Sequence, residues 1–299
     1  MSGKNFSCGS QTIQLDEFNM RNLIYKSDGS SCNPRIAIIA KSGSGKSVVI
    51  KDIMYHMHKS GVPCGTVIAP TDKMNRFYQD FVPESFIHHE YDGSIIQKFM
   101  NRQLKMIEEN NKREKNKKKL TDPRAYLIMD DCMSTKHLWL KDPLILSIFN
   151  EGRHYQIAPF ILSLQYSIGI QPELRNNFDY VFLLGEDTFS SRQKLHQHYA
   201  GIFKKYDFFE DVFSQVTDDY GCMVLDNRLR SSDIRKKVFW YKANNHLPKF
   251  TIGSKKVLKF DKENLDKDYG KNNKMDVVDL CTNRKTVVKV DKIPKGVVK

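Results

Sequence analysis

The sequence has no C-x-x-C pair. Its six cysteines, Cys8, Cys32, Cys64, Cys132, Cys222 and Cys281, are scattered along the chain. That excludes a zinc ribbon or a dithiol redox motif as the basis of function. Residues 1–15 contain no apolar segment of signal-peptide type, so no secretory leader is expected. No apolar run is long enough to span a bilayer. Unpaired cysteines fit a reducing compartment, where Cys64 and Cys132, in or beside core strands, pack as small hydrophobes. His196, His198 and His246 share no ligand spacing with one another and a cysteine, and read as surface or packing residues. No internal repeat is present. What the chain has in excess is positive charge, a formal +13 over 299 residues. It points to a polyanionic partner such as nucleic acid, or to no more than a solubilising surface with a basic tail.

Against that background one stretch carries specific chemistry. An apolar strand pattern at 36–39 stops in a turn made of Ala40, Lys41, Ser42, Gly43, Ser44 and Gly45. Lys46 and Ser47 then open a helical pattern with Val49, Ile53 and Met57 on one face. Strand, glycine-rich turn and helix are the context in which G-x-x-x-x-G-K-[ST] means a phosphate-binding loop rather than a chance lysine. Ala40 replaces the first glycine and is small enough to begin the turn. Gly43 and Gly45 let successive N–H groups turn inward as a nest for phosphate oxygens. The helix start adds partial positive charge. Lys46 can reach the β- and γ-phosphates, and the Ser47 hydroxyl can ligate Mg²⁺. Residues 40–47 are therefore expected to bind ATP.

The rest of the chain supplies matching parts. A second buried strand is predicted at 64–69 and a short one at 86–89. A helix over 94–116, with Ile95, Phe99 and Met106 on one side, runs into the basic block 112–119. That block reads equally as a DNA-backbone contact or as a solvated helix end. The apolar strand 125–129 ends in Asp130 and Asp131, a Walker B pattern. Asp130 would hold Mg²⁺ directly or through water. Asp131 would orient or deprotonate the attacking water, with a side chain one methylene shorter than the usual glutamate. A short helix over 143–150 closes at Glu151, Gly152, Arg153 and His154, and Gly152 suits a helix C-cap. Gln165 tips the strand 157–164, where its amide can sense the γ-phosphate or place the water, or merely satisfy loop backbone. A fifth strand is expected at 180–184, two aromatic-rich helices within 188–217, and strands at 221–226 and 237–241 as an antiparallel sheet edge. Interleaved apolar strands and helices predict an α/β fold, a mostly parallel sheet with helices on both faces. Residues 34–243 form the expected P-loop ATPase domain, between an extension at 1–33 and a basic, flexible tail at 244–299.

Taken together, several motifs resemble the poxvirus-type genome-packaging ATPases of large nucleocytoplasmic DNA viruses, in the FtsK–HerA branch of P-loop motors. They are Phe149-Asn150-Glu151-Gly152-Arg153-His154, the Gln165-tipped strand, Leu174-Arg175-Asn176-Asn177 and the Asp130-Asp131 ending, and the resemblance spans 34–242. It implies a RecA-like core with an extra strand between the two Walker strands. It further implies a homo-oligomeric ring, hexamer or pentamer, at a capsid vertex, pulling double-stranded DNA inward without sequence preference. A capsid or inner-membrane protein would be its neighbour, in the virion or in a viral factory of the host cytoplasm. Arg153 maps onto the family's trans-acting arginine finger, with Arg175 as second candidate and His154 left to packing or capping. The implied catalytic set is Lys46, Asp131, Gln165 and Arg153. A guanidinium from the next subunit would stabilise the charge that spreads during phosphoryl transfer. The competing readings are a cellular or plasmid DNA pump of the same branch, a small-molecule kinase, and a nucleotide-gated structural protein of the virion.

Overall fold

The computed structural model describes residues 3–8, 11–26, 28–165 and 170–265. The strands in chain order are β1 (Gly3–Cys8), β2 (Gln11–Asp16), β3 (Arg35–Ile39), β4 (Gly65–Ile68), β5 (Ile87–His88), β6 (Ala125–Asp130), β7 (Ile157–Leu164), β8 (Tyr180–Leu184), β9 (Gly221–Asp226) and β10 (Val238–Lys242). Eight of them form one sheet in the order β10-β9-β8-β3-β7-β6-β4-β5. From β8 to β5 every pairing is parallel, and β9 and β10 close one edge antiparallel. This is the architecture expected from the alternation of apolar strands and helices. The two strands that bear the P-loop and the paired carboxylates, β3 and β6, are separated by β7.

The strands carry almost no polar residues because both faces of the sheet are covered. Successive residues go to opposite cores. Ile36 and Ile38 of β3, with Tyr126 and Ile128 of β6, face the core shared with Val49, Ile50, Ile53, Met54 and Met57 of the P-loop helix α1 (Lys46–Lys59). Ala37 and Ile39, with Leu127 and Met129, face the other core, beneath the helices Gly93–Lys115, Pro143–Glu151 and Tyr206–Val216. Pro159, which cannot donate to a ladder, stands in central β7 where the register against β6 shifts between Ala125 and Leu127.

Two details depart from the sequence reading. The stripe that the helix Gly93–Lys115 buries is Ile96, Phe99, Met100 and Gln103, not the line through Ile95 and Met106. Gln103 is fully buried because its amide donates to the carbonyls of Tyr155 (2.6 Å) and Pro123 (3.1 Å), so a polar residue anchors the helix at the sheet's lower edge. Gly152 does close the helix Pro143–Glu151, but with φ −52° it is right-handed. Its missing side chain matters for room, since a Cβ would overlap the Ile148 carbonyl.

The compact unit also reaches further than 34–243, running over residues 1–263; residues 264–299 form a second unit, of which the structure describes only 264 and 265. At the front, Leu15 and Phe18 are buried, and the Phe18 ring meets Tyr180, Phe182, Phe239 and Tyr241 edge-on at 5.3–6.2 Å. At the back, Phe250 and Ile252 are buried, and the Ile252 N–H donates to the Phe81 carbonyl at 2.9 Å. Both segments are sparse in apolar residues, and those few find hydrophobic neighbours far away in sequence. Residues 266–299 of the expected tail lie outside the described residues. Among the described residues no helix is long and apolar enough to cross a membrane.

Candidate functional site

The loop after β3 has the backbone its glycines predict. Gly43 (φ 81°) and Gly45 (φ 93°) are left-handed, and Gly45 is the N-cap of α1. A side chain at either would be strained. Ser44 closes the turn by donating its hydroxyl to the Lys41 carbonyl at 2.6 Å. The Ala40 N–H donates to the Leu164 carbonyl at 3.0 Å, which stitches the start of the loop to the tip of β7 beside Gln165. Lys41 is ion-paired with Asp187 in the loop after β8. Ser42 and Ser47 are exposed, Ser47 in the first turn of α1. The N–H groups of that first turn have no helical partner, so they are available to an anion.

The carboxylates arrive from β6. Asp130 pairs in register with Ser163 of β7, and the Asp131 N–H donates to the Ser163 carbonyl at 3.3 Å. The parallel sheet thus brings Ala40, Gln165, Asp130 and Asp131 to one edge, although they are distant in sequence. Lys46 is buried, ion-paired with Asp131 and 3.5 Å from the Asp130 Oδ1. Asp131 has φ 54°, a left-handed conformation that aspartate tolerates better than longer or branched side chains do. The same conformation gives a physical setting for aspartate where the usual pattern has glutamate.

Sequence reasoning missed the residue that holds Asp130. Tyr78 is fully buried and donates its phenol to the Asp130 Oδ2 at 3.0 Å. Its own N–H donates to the Asp72 Oδ1 at 2.7 Å, and Asp72 is itself buried. Burial and the neighbouring carboxylates push the Tyr78 phenol far up, so it stays protonated and acts only as a donor. Burial also raises Asp130, which Lys46 partly offsets. Asp130 Oδ1 is buried without a hydrogen-bond partner. A cation could use this oxygen, which faces the Lys46 ammonium at 3.5 Å, and the Asp130, Ser47 and phosphate oxygens are the hard donors that Mg²⁺ takes. Among the described residues no cluster of three or more His, Cys, Asp or Glu side chains could hold a metal. The nucleotide would have to bring the remaining ligands. No periodicity or motif points to Tyr78. It opens a single 3₁₀ turn, Tyr78–Asp80, and its role exists only through a contact 52 residues away.

Arg153 is not at this edge. It sits in the turn that precedes β7, while Gln165 follows it, and β7 has eight residues. At about 3.3 Å per residue the two ends are roughly 25 Å apart. Arg153 is about half exposed and ion-paired with the buried carboxylate of Asp179, which also accepts from the Arg35 N–H (2.8 Å) and the Arg35 Nε (3.3 Å). His154 lines the same groove as Arg153, a cavity of about 1550 Å³ that also exposes Arg21, Lys26 and Arg228. Arg175 ends a short helical turn, with its guanidinium 6.0 Å from the centre of the Tyr199 ring. Residues 111–121, including the basic block, are exposed, and they precede β6 on this same lower edge. Reciprocal bonds between Asn110 and Thr121, 2.7 and 3.0 Å, tie the block into an ordered projection.

The family model for Poxvirus A32 protein matches residues 18–183. This chain belongs to that family. Among similar proteins, protein L437 of Acanthamoeba polyphaga mimivirus is 40% identical over 259 residues, covering 87% of each chain. Protein 088R of Invertebrate iridescent virus 3 is 32% identical, covering 81% of this chain and 88% of its own. Among solved structures, B204, titled the DNA-packaging ATPase from Sulfolobus turreted icosahedral virus, is similar with a TM-score of 0.49 and 17% identity, over 71% of this chain and 98% of its own. The A32 match contains the loop 40–47, Tyr78, both carboxylates, Arg153, Gln165 and Arg175, and it ends within β8. The antiparallel edge, β9 and β10, lies beyond it.

Proposed function

We propose that this chain is an ATP-driven motor that moves viral double-stranded DNA into a capsid. The observation that carries the reading is the convergence of Lys46, Asp130, Asp131 and the Gln165-tipped strand on one sheet edge beside a left-handed glycine loop. Membership of the A32 family supports it. In the proposed site the 43–47 backbone and Lys46 hold the triphosphate. Ser47 and Asp130 would hold Mg²⁺, which would supply positive charge to offset the phosphates. Asp131 takes the proton of the attacking water, and Gln165 orients that water. Arg153 lies about a strand's length from its own P-loop, so a finger role requires a second copy, and the working state is a ring. The projecting 112–119 block, on the edge away from the nucleotide, grips phosphates without reading sequence.

The test is ATP turnover of the full chain with and without duplex DNA, for the parent and for a variant with the lysines and Arg113 of the block neutralised. DNA stimulates the parent. The variant keeps basal turnover, loses most of the stimulation, and binds DNA with a flatter salt dependence. No stimulation of the parent overturns the motor reading, and turnover that depends on a small acceptor makes the protein a kinase.

Tyr78→Phe gives a separate expectation. It removes one donor from a carboxylate that burial already disfavours in its charged form, while keeping the ring in its packing. A hydrogen bond to a charged group contributes about 1.5–3 kcal/mol. The Mg²⁺ concentration for half-maximal binding of Mg-ATP should rise about tenfold or more, with ATP affinity in EDTA unchanged. Fluorescent-nucleotide titration reads both, and an unchanged Mg²⁺ requirement removes Tyr78 from the site.

A further inference from the structure

Beyond the span matched by the A32 family model, the chain places an aromatic ring at the mouth of the phosphate loop. β9 runs antiparallel to β8, with Leu184 paired to Cys222, so the turn before β9 stands at the same edge as the P-loop. Tyr220 is in that turn. A Cβ built on Gly45, the N-cap of α1, would lie 3.5 Å from the Tyr220 Cδ1 and 3.8 Å from the Leu184 Cδ2. The ring therefore stands beside the helix start, on the side where Gly45 carries no side chain, yet Tyr220 is 66% exposed.

The backbone that holds it there is costly. Asp219 (φ 48°) and Tyr220 (φ 59°) are consecutive left-handed residues, and neither is glycine. Aspartate is at ease there, but an aromatic side chain is not, and Tyr220 persists in that conformation only where the surroundings enforce it. The surroundings do so here. Asp219 is ion-paired with Lys242 of β10. Gly221 packs so closely on the Val216 carbonyl that no Cβ would fit. Burial does not account for the arrangement, because the ring it presents is mostly in water. The Lys41–Asp187 pair ties the loop after β8 to the phosphate loop. The tip of β8 is then a floor, with Tyr220 as a wall.

We propose that Tyr220 forms the wall of a nucleobase subsite, stacking on the base of the nucleoside triphosphate whose phosphates the 43–47 loop holds. This rests on the phosphate-loop reading above. Every base has a π-face, so stacking gives affinity for nucleosides without selecting among them. An aromatic platform of this kind is worth about 5- to 150-fold in affinity on alanine substitution. The phenol hydroxyl is not needed for it.

Calorimetric titration of the full-length protein in Mg²⁺, with ATP and with inorganic tripolyphosphate, separates base from phosphate. Tyr220→Ala should weaken ATP about tenfold or more and leave tripolyphosphate unchanged, while Tyr220→Phe keeps both. In Tyr220→Trp, ATP should quench the new indole fluorescence and tripolyphosphate should not. ATP affinity of the alanine variant within twofold of the parent overturns the proposal, as does an equal loss for both ligands. A parent chain that binds neither ligand overturns the phosphate-loop reading itself.

Discussion

Replacing Arg153 by alanine is expected to lower ATP turnover of the assembled protein by about 10³–10⁵, the range measured for arginine fingers. The argument rests on where the residue is. A side chain on the lower edge of the sheet cannot meet the phosphates on the upper edge of the same copy, so the proposed finger role requires a neighbour. Nucleotide affinity of the isolated variant should therefore equal that of the parent. Titrating the variant into parent rings should depress turnover more steeply than dilution, because each variant subunit silences the site of the next. The local packing makes the experiment clean. Asp179 keeps its two bonds from Arg35 when Arg153 is lost, so the buried carboxylate is not left unpaired, and the melting temperature should move by only a few degrees. Arg153→Lys keeps the ion pair with Asp179 but loses the planar fork, and it should rescue stability without rescuing rate. A strictly proportional loss in mixed rings would move the finger to Arg175, or remove it altogether.

The two Walker strands, and the parallel character of the sheet, were legible because they depend on local pattern. Ile36 to Ala40 and Tyr126 to Met129 are continuous apolar runs of strand length, as strands of a parallel sheet covered on both faces are. The glycine loop was legible for a similar reason: left-handed φ at Gly43 and Gly45 is a property of single residues. What stayed hidden depends on partners far away in sequence. Phe18 looks like part of a polar extension until four aromatic rings from β8 and β10 surround it. Phe250 and Ile252 look like tail residues until Phe81 supplies a ring and a carbonyl. Tyr78 and Tyr220 carry no signal of their own, one being a buried donor and the other an exposed ring in a strained turn. The segments around Phe81 join these observations. Phe250 contacts Phe81, Phe81 neighbours Tyr78 in the chain and in space, and Tyr78 holds Asp130. Residues 250–252, which the sequence assigns to the tail, thus pack beside the segment whose Tyr78 holds Asp130.

Asp131→Asn is expected to keep ATP and stop cleaving it. The substitution preserves volume, and asparagine is at ease in the left-handed region that Asp131 occupies (φ 54°), so the loop should hold its shape. The proton acceptor is lost. General-base catalysis contributes about 10²–10⁴ in rate, and single-turnover hydrolysis should fall by that factor. Affinity should hold or rise, because Lys46 is ion-paired with Asp131 in the structure and an amide competes less for the ammonium that the phosphates need. Asp131→Glu should not serve as a benign control, even though glutamate is the usual residue. The longer side chain would have to adopt the same left-handed backbone, and the added methylene shifts the carboxylate relative to Lys46. If the asparagine variant hydrolyses ATP within a few-fold of the parent, the water is activated elsewhere. Gln165 would be examined next, since it stands at the tip of the strand paired with both β3 and β6. If instead ATP binding is lost with turnover, Asp131 is a structural partner of Lys46 and not a base.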